Sequence, residues 1–453
     1  MIHVIGKINQ DPIFLHYKNR LFIPTMAKNF MSYCNFSKMN FEISEDQKIF
    51  VDKIDDICKS LRSYEEKCYL KEKLNKKVIS EFEKVGMLGC PISRKYGGLG
   101  YDIPTYILAL ERIGKESSSM RTFFSAHTSI GQMVIQGWAN EEQKREYLPN
   151  TCNGRNIMAF ALTEPAAGSD PSSIITRYED KGDHYVLKGK KHWIGNGTFA
   201  NIMTVYAREY GSSGSNNGRI SAFIVNGDTR GIRTKELRQK IGLLTVKNAE
   251  IYFDNCIVPK KNLLGQEGQG LNIAYSALID GRLSVAAGGV GVMKDCIEEC
   301  VNYSKKRKQH GSVLAKKQLI QEHIAKIAVN IESSRWLVYY AAHARQRLHD
   351  YVEKLKQEDC QWLSRLDRYN NEYSILRNEA DRIAAIAKFH ISNSAFDSAN
   401  RAVQIFGSVA YRKTNRVARH FLDSRATMIY EGANEVLELK MASQILGDEF
   451  RAY

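Results

Sequence analysis

The period at which apolar residues recur changes twice along this chain of 453 residues, and that change limits the folds open to it. From Ser44 the pattern is helical: Ser44 and Gln47 form a capping-box pair, and Phe50, Ile54, Ile57 or Cys58 and Leu61 recur every three or four residues. Further helices are predicted around 75–88, 104–115 and 123–138, interrupted by the turn Gly97-Gly98-Leu99-Gly100. The middle switches to strands. Residues 184–187, 202–206, 220–225 and 249–253 are short β-branched or aromatic runs separated by Gly, Asn and Asp. From Leu271 the helical period returns and holds to about residue 448, with 345–377 predicted as a long, charged helix pair standing out from the core. Helix, then strand, then helix is an α+β order, not the alternation of a doubly wound sheet. We expect an extension over 1–43, an all-helical domain over 44–156, a compact antiparallel sheet or barrel over 157–270, and a helical domain over 271–453. GQEGQG (265–270) lacks the strand-to-helix setting of a dinucleotide fingerprint, and we reject that reading.

Composition narrows the function. No apolar run approaches the roughly 20 residues that span a bilayer, and the chain is otherwise ordinary for a globular protein, 43% hydrophobic and 25% charged. The nine cysteines (34, 58, 68, 90, 152, 256, 296, 300 and 360) contain no CxxC pair. This argues against a disulfide framework or a zinc site and fits a reducing compartment. A net charge of +15 raises nucleic-acid binding, but Lys and Arg are spread along the chain and mixed with acids, so we expect none. The densest cluster, Lys305-Lys306-Arg307-Lys308 before Gln309-His310-Gly311, suits a small anion such as a nucleotide pyrophosphate. Residues 1–43 hold two acids, Asp11 and Glu42; that scarcity fits a targeting segment, although serine and arginine are not enriched as such segments require.

Three stretches carry chemistry. In TMIYEGANEV (427–436), Gly432 frees the backbone, Asn434 suits a helix cap, and Glu431 is left with a charge that is either idle or used. In FALTEPAAGSD (160–170), hydroxyls at Thr163 and Ser169 flank small residues that a flat ring or extended chain can approach; the plain alternative is a loop between domains. KHWIGNG (191–197) places Trp193 before a glycine turn, where a core role competes with a ligand wall.

Taken together, the chain resembles the acyl-CoA dehydrogenase family over roughly 44–447. The resemblance rests on GMLG…YGGLG (86–100), ALTEPAAGSD (161–170), WIGNG (193–197), GR…AAGGVG (281–291), KRKQHG (306–311) followed by Gln318, QIFG (404–407) and IYEG (429–432). It implies a helical N-terminal domain, a middle β-barrel and a C-terminal four-helix bundle. It also implies FAD bound between subunits of a homotetramer or dimer, in the cytoplasm of a bacterium or the mitochondrial matrix. On this resemblance Thr163, Trp193, Ile194 and Gly195 line the flavin. Arg307, Gln309, Gln318, Gln404 and Gly407 hold its pyrophosphate and adenosine, partly from a neighbouring subunit, and Ala433 and Glu435 complete the cofactor set. Ser169, Arg282 and Gly432 fall on the acyl-CoA, and Glu431 on the catalytic base.

That reaction removes hydrogens from Cα and Cβ of a thioester and passes electrons to an electron-transfer flavoprotein. A carboxylate with a pKa of about 4.3 is a poor base for Cα–H, so burial of Glu431 is expected to raise it, with Ile429 and Tyr430 keeping the site dry. Four positions depart from the usual pattern. Gly195 stands for a threonine at the flavin edge, Ala433 for a threonine after the base, His310 for an aromatic, and Leu422 for the Arg of Arg-Asp. Glycine in the WIGN stretch also occurs in short-chain acyl-CoA oxidases, which keeps oxygen open as acceptor, and an acyl-carrier-protein thioester offers the same chemistry. Gly281 is not acidic, which argues against a base on that helix. Arg121 in SSMRTFF resembles an arginine of glutaryl-CoA dehydrogenases and suits a substrate with a distal anionic group, the alternative being a helix-start arginine with a surface partner.

Overall fold

The computed structural model describes residues 42–211, 218–358 and 370–450. The expected extension lies outside the described residues except for Glu42 and Ile43. Residues 43–438 form one compact unit, and 439–450 belong to a second.

The helical first region is as expected. Helix α1 (Glu45–Leu70) starts at the Ser44/Gln47 capping box. It is followed by α2 (Lys77–Glu83), α3 (Ile103–Glu116), α4 (Ser118–Phe124), a π-helical segment (Ser125–Gln132), α5 (Met133–Trp138) and α6 (Glu141–Cys152). The π segment is pinned by His127, whose Nδ1 accepts from Met158 N (3.1 Å) while Nε2 donates to Thr151 O (3.1 Å). Burial keeps this imidazole neutral, pulling it down to about 4.

The middle region is a sheet of eight strands: β1 (Met158–Ala161), β2 (Arg177–Asp180), β3 (His184–Gly195), β4 (Ile202–Glu209), β5 (Ile220–Asn226), β6 (Ile232–Leu237), β7 (Asn248–Pro259) and β8 (Leu263–Leu264). The order is β6-β7-β3-β2-β4-β5-β8, with β1 parallel to β4. Inward side chains from these strands, Tyr178, Tyr185, Val205, Phe223, Ile251 and Phe253 among them, form a core separate from that of the helices. This is the compact, barrel-like body the sequence pattern asks for, but it is mixed and not antiparallel throughout, because β4 runs parallel to both β1 and β2.

Helix α7 (Gly270–Lys306) returns the chain to helix, and GQEGQG is the turn that leads into it. A small hairpin, β9 (Lys308–Gln309) and β10 (Ser312–Val313), leads to α8 (Gln318–Glu358), α9 (Asn370–Phe406), α10 (Arg416–Thr427) and α11 (Asn434–Leu446). Helices α7, α8 and α9 pack on one another, with α10 against α7 and α9. The run AAGGVG lets α3 cross closely: a Cβ on Gly291 would sit 2.2 Å from Glu111 O. The helix pair expected to stand out from the core does so only in part, because Arg345, Leu348 and Leu355 are tucked in and Arg345 pairs with the buried Asp280. Residues 359–369 of that pair lie outside the described residues.

Candidate active site

The IYEG stretch forms the turn between α10 and α11. Glu431 sits there at φ +58° and Gly432 at φ +95°. A left-handed glutamate is costly, and the turn is held from two helices. Arg282 of α7 donates from Nε to Glu431 O (3.2 Å) and pairs through Nη1 with Asp381 Oδ1 (2.7 Å). Lys388 of α9, with no exposed surface, donates to Gly432 O (2.6 Å) and Asn434 Oδ1 (2.8 Å). Asn434, expected as a cap, is instead the first residue of α11 and spends its side chain on Lys388 and Ser392.

The Glu431 carboxylate lies over Gly281 of α7, where a Cβ would stand 2.3 Å from Oε2 and 2.6 Å from Cδ. The residue as a whole keeps partial exposure, yet Oε2 is enclosed and has no hydrogen-bond partner among the described residues. Burial raises the carboxyl to about 7, against the opposing pull of Arg282, Arg121 and Lys388. The Glu431 N–H likewise donates to no acceptor among the described residues.

Arg121, on α4, forms another wall and is 1% exposed. Its stem lies against Gly288, where a Cβ would stand 2.8 Å from Nε. Nη2 donates to Tyr430 OH, and the guanidinium lies 5.8 Å from the Tyr430 ring centre. Its Nε and Nη1 have no partner among the described residues. It is therefore not the helix-start arginine with a surface partner. Ile429 is exposed and does not help dry the site; Tyr430 is half-buried.

The residues expected to line the flavin converge separately. Trp193 is 55% exposed at φ +60°, its ring stacked on His192 (5.4 Å, 4°). His192 N donates to Thr163 O (2.9 Å), which sets the ALTEP and WIGN stretches side by side. Behind them, fully buried Lys191 donates to Leu162 O (2.9 Å) and Glu164 Oε1 (2.7 Å), and Glu164 accepts from Ile175 N and Thr176 N. Burial pulls Lys191 down to about 8 despite Glu164. Asn196, buried at φ +59°, donates to Phe123 O and Met158 O (both 3.3 Å), tying the wall to α4 and to the start of β1. Ile194 is buried, and a Cβ on Gly195 would meet Ala126 Cβ at an ordinary 3.5 Å, so packing does not exclude a threonine there. Ser169 and Gly168 are exposed on the neighbouring loop, and a Cβ on Gly168 would meet nothing within 4 Å. An exposed indole on a braced strand, beside a half-exposed Thr163 and an open small-residue loop, fits the flat ring of FAD.

The remaining cofactor candidates gather elsewhere. Arg307 and Gln309 follow α7, Gln318 opens α8, Gln404 lies in the last turn of α9 and Gly407 just follows it, all exposed. The ends of α7 and α9 meet through stacked Tyr303 and Phe406 (4.2 Å). Ala433 is half-buried in the Glu431 turn, and Glu435 is exposed in the first turn of α11.

Four contributors escaped the sequence reading. Gly281 was visible only as a non-acid, Asp381 as one more acid in a charged stretch, and Asn196 as a turn residue. Lys388 had a signal: a lone lysine in the apolar run IAAIAKF (383–389).

The comparisons agree with this geometry. Models of the acyl-CoA dehydrogenase N-terminal, middle and C-terminal domains match residues 44–155, 159–256, and 268–356 with 368–446. An acyl-CoA dehydrogenase of Bacillus subtilis (strain 168) is 36% identical over 82% of this chain and 89% of its own length. Butyryl-CoA dehydrogenase from Megasphaera elsdenii superposes with a TM-score of 0.80 at 32% identity, over 90% of this chain and all of that one. An acyl-CoA dehydrogenase complexed with FAD, from Bacillus anthracis, gives a TM-score of 0.81 at 28% identity, over 89% of this chain and 67% of that one. The chain therefore belongs to the acyl-CoA dehydrogenase family, FAD-dependent oxidoreductases acting on CH–CH bonds.

Proposed function

We propose that this protein converts a short acyl-CoA thioester to its trans-2-enoyl-CoA, with Glu431 as the base. The observation that supports this is the Glu431 carboxylate, enclosed, unpartnered at Oε2, resting on Gly281 and raised to about 7. A base must have a proton affinity near the working pH, and a solvated carboxylate does not. Glu431 takes the proton from Cα. Its N–H is available to polarise the thioester oxygen. FAD, when bound against Trp193 and Thr163, supplies the acceptor for the hydride that leaves Cβ. Ser169, Arg282 and Gly432 are the residues for the CoA side.

Arg121 and Tyr430 occupy the wall beside the base, which favours a short acyl group, and the similarity to a butyryl-CoA dehydrogenase agrees. The two unpartnered donors of Arg121 favour a second reading, a substrate with a distal carboxylate or other acceptor. About 37 Å of α7 separates Gly281 from Lys306, 25 residues at about 1.5 Å each. Arg307, Gln309, Gln318, Gln404 and Gly407 are thus suited to the FAD of a second copy, in a homodimer or homotetramer. An electron-transfer flavoprotein is the acceptor we favour; an oxidase using oxygen is the rival that Gly195 leaves open, and an acyl-carrier-protein thioester presents the same two carbons.

The test is the visible spectrum of the purified protein, taken anaerobically before and after a panel of acyl-CoAs. Bleaching of the flavin band by butyryl-CoA or a near neighbour is expected. A flavin band that no acyl-CoA bleaches refutes the proposal, and rapid recovery of the band in air identifies an oxidase.

A further inference from the structure

Lys388 is the one lysine in an apolar stretch of α9, and it has no exposed surface. Taking an ammonium out of water costs several kcal/mol, and a buried lysine ordinarily recovers this from a carboxylate. Among the described residues Lys388 forms no ion pair. Its two acceptors are neutral: Gly432 O at 2.6 Å and Asn434 Oδ1 at 2.8 Å. Asn434 is held in turn by Ser392, one helical turn from Lys388, where Nδ2 donates to Ser392 Oγ (3.0 Å).

The preceding carbonyl, Glu431 O, is held by Arg282 from another helix. The successive carbonyls of Glu431 and Gly432 are thus fixed by cations from α7 and α9. Between them lies Gly432, whose backbone is the least restricted of any residue. With either clamp gone, that peptide would be held from one helix only, besides the bond from Asn434 N to Met428 O that closes the turn.

We infer that Lys388 is a positioning residue for the base: by gripping Gly432 O and Asn434 it fixes the left-handed Glu431-Gly432 turn and so aims the Glu431 carboxylate. This rests on the proposed role of Glu431 in proton removal. The charged groups that surround the pair are Arg282 on α7 with its partner Asp381 on α9, Arg121 on α4 and Glu435 on α11. Burial pulls Lys388 down to about 7, with Glu431 and Glu435 opposing and Arg282 adding to that pull. Its remaining charge favours ionised Glu431.

The test uses FAD-loaded enzyme with Lys388→Met and Lys388→Gln. Three quantities are read: single-turnover bleaching by butyryl-CoA as a function of pH, affinity for a non-oxidisable thioether analogue, and melting temperature. Lys388→Met is expected to slow bleaching about 10²-fold, the cost of misplacing a reacting group by about 1 Å. Analogue affinity should stay within about two-fold of wild type. The acidic limb of the rate should move to higher pH, because a cation that favoured the carboxylate is gone. Lys388→Gln keeps a donor for Gly432 O without the charge; it should recover about ten-fold of the rate and keep the shifted limb. Wild-type rate and an unmoved limb in Lys388→Met overturn the inference, as do equal slowing of both variants and an unmoved limb. If Lys388→Met does not fold, the limb of Lys388→Gln decides alone. Wild-type enzyme that holds FAD but is bleached by no thioester overturns the base assignment, and this inference with it.

Discussion

Gly281→Ala separates the placing of the proposed base, Glu431, from its chemistry. The added Cβ would stand 2.3 Å from Oε2, 2.6 Å from Cδ and 2.9 Å from Oε1 of Glu431, where ordinary contact begins at 3.4 Å. The carboxylate must retreat by the difference, about 1 Å, or rotate away. A displacement of that size at a reacting group costs about 10²-fold in rate, or ~2.7 kcal/mol. The same change favours the helix, since Gly281 lies inside α7 and Ala is preferred to Gly there by about 1 kcal/mol. Rate and stability should therefore move in opposite directions. Stopped-flow bleaching of the flavin by butyryl-CoA should be about 100-fold slower, with full FAD content and a melting temperature unchanged or higher. Wild-type bleaching in a Gly281→Ala enzyme with intact FAD would refute the reasoning. Slow bleaching with a lowered melting temperature would trace the loss to packing rather than to the base.

In its proposed role as base Glu431 must be ionised, so with its carboxyl at about 7 the bleaching rate of the free enzyme should fall as pH drops through that value. A limb near the solvated value of 4.5 would show that the carboxyl is not desolvated. Arg121→Met removes two unpartnered buried donors and should raise the rate on butyryl-CoA relative to glutaryl-CoA; an unchanged ratio means that Arg121 does not read the substrate's far end. Lys191→Met leaves Glu164 buried without its cation and should destabilise the protein by about 3–5 kcal/mol, with loss of FAD. Retention of FAD and of the wild-type melting temperature in that variant would show that the brace behind Trp193 is dispensable.

Much of this molecule was legible in the sequence, for a physical reason. Helices and strands write themselves as periods of apolar residues, and the two switches of period located the three regions. Glu431, Thr163 and Trp193 stand in short stretches whose family resemblance is specific. What was not legible depends on packing between distant segments. Gly281 and Glu431 are 150 residues apart, and only the closeness of α7 to the turn makes the glycine a seat. Lys388 clamps a carbonyl 44 residues away. The π segment has no composition of its own, and the bonds that hold it, from His127 to Met158 and Thr151 and from Thr128 to Leu88, join it to distant parts of the chain. The charged pair around 345–377 misled because charge suggested full exposure, while Arg345 in fact satisfies buried Asp280.

Three cations lie around Glu431, and yet its carboxyl is harder to ionise than a free one. Direction explains this better than number. Arg282 spends its Nε on the glutamate's own carbonyl, Lys388 on the next carbonyl, and Arg121 its Nη2 on the Tyr430 hydroxyl. None donates a hydrogen bond to the carboxylate. Had one done so, a charge-assisted bond of about 1.5–3 kcal/mol would have fixed Glu431 as a permanent ion. Its pKa would then have fallen, and with it the proton affinity that its proposed role as base requires. At longer range the cations only moderate the effect of burial, so Oε2 stays unpartnered among the described residues and able to receive a proton. An acyl chain entering beside it displaces water and strengthens that burial, which raises the proton affinity of Glu431 when Cα comes within reach.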